Sequence, residues 1–339
     1  MGGAGIEGTS IIVSAPGSPV LRPPEPRPPE PRPPEPRRVV PPAACTAATA
    51  KLALTPAVEP YRCPGPLATP YQLRETPSFD PILSACPAAT PQRRMFALTF
   101  DDGPNDPQTL QVLDYIEQFN ITASFMIQGH SIYRTDKAAF VDERDVVRNV
   151  FKRGHMIASH SYCHHHMAAY TPELVRADTR ACEDHLEELI GVRPRIYRPP
   201  FIEYSPTSMS ILQAELGYTV VSANIYAEDT RYYSSLARTL ENYRNAYWRR
   251  RTSYISLMHD SICSNHAALP TIIKTFSCAG YEFVSLDTCL GLESPYRDGK
   301  TNPAKRGRHD PQATCAALAD ISSLDELPDA PARSENASR

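Results

Sequence analysis

MFALTFDDGP, residues 95–104, opens the part of the chain that can build a core. It is a short β-rich run, 96–100, that leads into two adjacent carboxylates, Asp101 and Asp102, on a Gly-Pro turn. Six further runs of the same texture follow at 123–127, 155–159, 195–198, 218–223, 254–258 and 281–285. Amphipathic stretches with readable helix ends lie between them. One helix is expected to start at Asp106-Pro107 and run towards Phe119, and another to start at Thr171-Pro172 and stop before Gly191. Gly154, Gly217 and Gly280 stand where helices should end before a strand. Strands alternating with helices predict a parallel α/β domain. Because no GxGxxG follows the first strand, the expected form is an irregular (β/α) barrel of about seven parallel strands.

Upstream the texture differs. Of the 35 prolines in 339 residues, 22 precede Met95, so residues 1–94 have too little apolar surface to offset their chain entropy. RPPEP is read three times in succession over 22–36, a repeat that favours extended polyproline II. The segment is expected to be a disordered spacer, or secondarily a weak ligand for a proline-recognition domain. From Gly291 the chain turns polar, so 291–339 is expected to be an irregular tail around a 95–290 domain. The site is then expected to survive in a chain that begins near residue 70.

A net charge of −3 with 22% charged residues argues against a nucleic-acid binder, and no run of about 18 apolar residues exists to span a bilayer. The first twenty residues lack the basic and apolar regions of a secretory signal, and Ile6 stands where a myristoylation signal wants Ser or Thr. Nine cysteines without CxxC spacing favour disulfides, with at least one thiol left over. Two sequons, at Asn120 and Asn336, fit secretion.

In such a domain, reactive residues gather at strand exits. The first exit offers Asp101 and Asp102, whose successive side chains point differently, so one can bind a metal while the other faces water or substrate. The third offers His160 and His164, four apart, which one helical turn would place on a single face. Two histidines and one carboxylate leave open coordination positions, the mark of a catalytic metal site. Cys163 and His166 rank below that pair as ligands. The fourth exit carries Arg198 on a Pro199-Pro200 turn followed by Phe201, and the sixth carries Leu257 and His259. Arg198 suits a carboxylate, and the Phe201 N–H suits an oxyanion.

TFDDGP at 99–104, HSxxH at 160–164, RPPF at 198–201 and LxH at 257–259 together resemble the motifs of the polysaccharide deacetylases of carbohydrate esterase family 4, the NodB-homology domain. The texture is most similar to fungal-type chitin deacetylases. The resemblance implies that Asp102, His160 and His164 hold a divalent ion, zinc first and cobalt as the alternative. It implies Asp101 as general base, Arg198 as its orienting partner, the Phe201 N–H at the oxyanion and His259 as general acid. Pro200, Tyr204 and Leu257 would meet substrate. The implied reaction is hydrolysis of N-acetyl groups on an N-acetylglucosamine polymer such as chitin, placed outside the cell or in its wall.

One motif departs from the pattern. Where relatives carry Asp-x-x-Asp and then an aromatic residue, this chain has Tyr226, Glu228, Asp229 and Thr230, which puts the support of His259 in question. Asp229 or Glu228 could substitute, and the lone Trp248 has no assignable place. An O-acetyl esterase acting on xylan, which needs less acid catalysis, and a weakly catalytic carbohydrate binder are the competing readings.

Overall fold

The computed structural model describes residues 63, 81–133, 142–232, 234–304 and 306–327. The RPPEP repeat, most of the expected spacer and the Asn336 sequon lie outside the described residues. Nine strands form one parallel sheet: β1 (Met95–Ala97), β2 (Thr99–Gly103), β3 (Ser124–Ile127), β4 (Met156–Ser159), β5 (Ile196–Tyr197), β6 (Thr219–Val220), β7 (Ile225–Tyr226), β8 (Ser253–His259) and β9 (Glu282–Val284). Their order is β6-β5-β4-β3-β2-β8-β1-β9, with β7 also paired to β8. β1 and β2 are one run interrupted at Leu98, and both lie along β8. Each of the seven expected runs contains sheet. The two-residue β7 is the addition, too short to show a period of its own.

Alternation along the strands separates the two larger of three apolar clusters. Phe96, Phe100, Phe125 and Ile157 face outward onto the helices, whereas Met95, Ala97, Met126, Met156, Ala158 and Ile255 meet inside the sheet. The helices are α1 (Gln108–Ile116), α2 (Glu143–Lys152), α3 (Pro172–Ile190), α4 (Pro206–Ser210), α5 (Leu236–Trp248), α6 (Cys263–Cys278), α7 (Leu286–Leu290) and α8 (Pro311–Ala317). α3 has the ends read from sequence: the Thr171 side chain accepts from Leu174 N, Pro172 is the first helical residue, and Gly191 closes the helix at φ 71°. α1 starts one residue later than expected, with Pro107 rather than Asp106 at the cap.

The packed body is larger than the expected 95–290. Before it, Cys86 is bonded to Cys289, and Leu83 forms a parallel bridge to Val221. After it, residues 291–327 are largely irregular, as expected, but packed onto the body. Tyr296 is fully buried, Arg297 pairs with the buried Glu183, and α8 lies on α6 through the Cys278–Cys315 disulfide. Gly154, at φ 86°, is needed twice over, since a Cβ there would sit 2.7 Å from the Ala304 carbonyl of this returning segment. Leu318 and Leu324 complete the main core, too sparsely placed to announce themselves by periodicity. Leu318→Ala should therefore destabilise the protein by about 2–5 kcal/mol in urea titration, where an exposed tail residue would cost under about 0.5 kcal/mol.

Among the described residues, a third disulfide joins Cys63 to Cys163, and Cys263 is also disulfide-bonded. Cys182, on α3, is free and fully buried, its Sγ directed at the Ile127 carbonyl. The leftover thiol expected from the odd count is this one.

Candidate active site

The parallel pairing of β2 with β8 sets Asp101 directly beside His259. The next residue is displaced. Pairing of β2 with β3 runs from Asp101↔Met126 to Gly103↔Ile127, so Asp102 is bulged out of the ladder, with φ at 68°. This is why two adjacent carboxylates part company: Asp101 stays buried with the sheet, and Asp102 turns to a different set of partners.

Those partners are His160 and His164. Asp102 Oδ1 lies 3.3 Å from His160 Nε2 and 3.1 Å from His164 Nε2, and one ligand atom from each of the three residues falls within 4.8 Å of the others. Among the described residues these three form the one group of His, Cys, Asp or Glu side chains so arranged. The two histidines do not meet on a helical turn, as expected, but across an irregular loop with Ser161 at φ 64° and His164 at φ 54°. His160 Nδ1 faces the Arg198 carbonyl at 2.7 Å, which leaves Nε2 for the cluster. Asp102 Oδ1 is buried and takes no hydrogen bond. Burial works against its charge, yet the two imidazoles hold its carboxyl far below the usual range. A buried, unpartnered carboxylate oxygen facing two imidazole nitrogens fits a divalent cation. Cys163 is excluded as a ligand by its disulfide. His166 is exposed and instead pairs with Glu203 at 2.7 Å.

Asp101 is held from behind. The fully buried Arg198 donates from Nη1 to Asp101 Oδ1 at 2.6 Å and to Thr99 Oγ1 at 2.7 Å, and from Nη2 to the Ser222 carbonyl at 2.9 Å. Thr99 in turn donates to the Ser256 carbonyl. The guanidinium thus fixes one Asp101 oxygen and leaves the other, 4.0 Å from His160 Nε2, on the side of the cluster.

The support of His259 is Asp229, not Glu228. Asp229 Oδ1 lies 2.8 Å from His259 Nδ1, and its Oδ2 accepts from His259 N at 2.7 Å and from the Asn265 amide. Burial alone would lower the His259 pKa, but Asp229, reinforced by Asp101 and Asp102, raises it to about 9. His259 Nε2 is then 3.5 Å from Asp102 Oδ2. Asp260, which drew no attention in the sequence, is fully buried and accepts from Asn105 Nδ2 at 2.6 Å and Thr109 Oγ1 at 2.5 Å, bracing the chain just after the Asp-Asp-Gly-Pro turn. Its place next to His259 was the available signal. Asp178, on α3, accepts from Tyr162 N and Cys163 N, and no local pattern marks it.

These groups open into a cleft of about 760 Å³ whose outer lining includes Phe201, Ile202, Glu203, Tyr226, Arg231 and Leu257. Of the three residues expected to meet substrate, Leu257 lines the cleft. Pro200 is buried and Tyr204 is partly buried against a separate apolar cluster, and neither is among the residues that line the cleft. The Phe201 ring is half exposed, stacked on His166 with centroids 4.2 Å apart and edge-on to His164 at 4.6 Å. Thr230 supplies no aromatic surface, but Tyr226 does: its Oη is pinned 3.1 Å from Ser222 Oγ and 3.0 Å from the Ala223 carbonyl, with the ring 42% exposed in the cleft. Trp248 ends α5, outside the cleft lining.

A sequence profile described as polysaccharide deacetylase matches residues 88–221. A chitin deacetylase of Pestalotiopsis sp is 30% identical over 239 residues, covering 68% of this chain and 76% of that protein. The peptidoglycan-N-acetylglucosamine deacetylase PgdA of Listeria monocytogenes is 27% identical over 225 residues, 66% of this chain, and the match spans only 44% of that larger protein. The solved structure of the chitin deacetylase from Colletotrichum lindemuthianum has the same fold, with a TM-score of 0.56 at 24% identity over 67% of this chain and 98% of that one.

Proposed function

We propose a hydrolytic role from one premise: the chain belongs to the polysaccharide deacetylase family. Within that family it acts as a metal-dependent N-deacetylase on chitin or a related N-acetylglucosamine polymer, releasing acetate and leaving a free amino sugar. The observation that carries this reading is the register pair Asp101 and His259, each backed by its own buried partner, Arg198 and Asp229. A base and an acid facing one cleft suit the cleavage of an amide, whose amine must be protonated to leave.

Asp102, His160 and His164 would hold the ion, and their mixed nitrogen and oxygen donors suit zinc. When bound, such an ion polarises an acyl oxygen and makes a nearby water more acidic. Asp101 accepts the proton of the attacking water on the oxygen that Arg198 leaves free. His259 directs its Nδ1–H to Asp229 and donates from Nε2 to the departing nitrogen. The Phe201 N–H is the donor assigned to the developing oxyanion. The rings of Phe201 and Tyr226 offer apolar faces to the sugar, which compensates for Thr230.

Acetate release from chitin oligomers, peptidoglycan and acetylated xylan, measured with chelator and after adding zinc back, tests the reading. Release from chitin oligomers that chelator abolishes and zinc restores is expected. Release from xylan alone would replace it with the esterase, and sugar binding without release with the weak binder. The disulfides support a site of action outside the cell or in its wall.

A further inference from the structure

The loop that bears both histidine ligands is held unequally at its two ends. At the first, His160 N donates to the Ile127 carbonyl at 2.9 Å, and its ring is fixed by the Arg198 carbonyl. In the middle, the Tyr162 and Cys163 N–H groups share the Asp178 carboxylate, while the Ser161 and Tyr162 carbonyls accept from Gly129 N and His130 N. At the second end, the His164 N–H donates to Ser161 Oγ within the same loop, its ring rests against the half-exposed Phe201, and the next two residues are held through side chains, His165 Nδ1 with Tyr170 Oη at 2.8 Å and His166 with Glu203. Left-handed backbone at Ser161 and His164, a conformation that L residues rarely adopt, gives this end no intrinsic preference for its shape. Beside the second ligand, the bond from the Cys163 N–H to Asp178 is joined by a covalent anchor. Cys163, the neighbour of His164, is bonded to Cys63, one hundred positions earlier, and Cys63 packs against the main core.

We propose that the Cys63–Cys163 disulfide is a positioning element of the metal site, holding His164 where a cation needs it before any cation arrives. The inference rests on the reading of Asp102, His160 and His164 as the metal-binding set. A ligand that is ordered during folding need not be ordered on binding, so the bond raises metal affinity without touching the metal. It also withdraws the Cys163 sulfur, which as a free thiol next to His164 would compete as a ligand. The expectation that a chain starting near residue 70 keeps the site intact then fails, because Cys63 lies on the discarded side.

Zinc affinity of the full chain, measured by competition with a chromophoric chelator at a temperature where circular dichroism shows each protein folded, provides the test. The Cys63→Ser/Cys163→Ser double variant should bind zinc at least about tenfold more weakly than the parent. Cys278→Ser/Cys315→Ser, which removes a disulfide remote from the site, should lower the melting temperature yet leave zinc affinity within about twofold. Parent-like affinity in the first variant, or an equal loss in both, overturns the proposal. If the first variant does not fold, hydrogen exchange at the His164 amide of the metal-free parent, the one of the three loop amides that Asp178 does not hold, decides instead: slow exchange there supports a ligand already in place, and exchange as fast as in an open loop overturns it. A parent that binds no zinc would refute the metal reading itself, an outcome distinct from a binding parent with an equally binding variant.

Discussion

Asp101→Asn should lower kcat on soluble chitin oligomers by about 100-fold or more while leaving zinc bound. The substitution keeps the size of the side chain and an oxygen for Arg198 Nη1, so the clamp at 2.6 Å has a partner still. What it removes is the ability to accept a proton. Zinc should stay because the bulge gives the ligand role to Asp102, whose oxygens face His160, His164 and His259 rather than Arg198. Kinetics together with the zinc-to-protein ratio check this. A variant that loses zinc would show the two aspartates exchanged in role, and one that keeps both zinc and turnover would remove Asp101 from the chemistry.

His259→Ala should separate substrates by their leaving groups. On chitin oligomers the expected loss in kcat is about 100-fold or more, since an amine cannot leave as its anion. On 4-nitrophenyl acetate, whose phenolate departs unprotonated, the loss should stay within about tenfold. The geometry behind this is the Nδ1 contact with Asp229 at 2.8 Å, which turns Nε2 towards the cluster. Parallel rate measurements on the two substrates suffice. Equal losses on both would mean that the imidazole serves the site in some way other than as an acid, and no loss on either would assign the proton to another group.

Strand exits were legible because each ends in residues whose chemistry is local: two carboxylates before Gly-Pro, two histidines in one short loop, an arginine before two prolines. The polysaccharide deacetylase fold could be read from the same runs, since a parallel sheet buried on both faces leaves continuous apolar stretches. What escaped depends on approach through space. Asp229 and Glu228 are neighbours in sequence, and only the path of the backbone after β7 decides that Asp229 meets His259. Tyr204 follows closely on Phe201, but it turns into the core while Phe201 faces the cleft. The segment after Gly291 looked irregular because its few apolar residues fill gaps between elements already formed, a job that requires no period.

Cys182 has a consequence for how the disulfides endure. Exchange between disulfides begins with a thiolate, and burial pushes the Cys182 thiol up to about 12 while α3 and the sheet close over it. The free cysteine is therefore inert as long as the fold is intact, and among the described residues the Cys63, Cys86 and Cys278 bonds meet no other free thiol. Partial opening of α3 would change that at once, converting a local excursion into a permanent reshuffling of covalent links. Resistance of the disulfides to attack by Cys182 accordingly depends on how often that helix lifts, a rate of opening rather than an equilibrium stability.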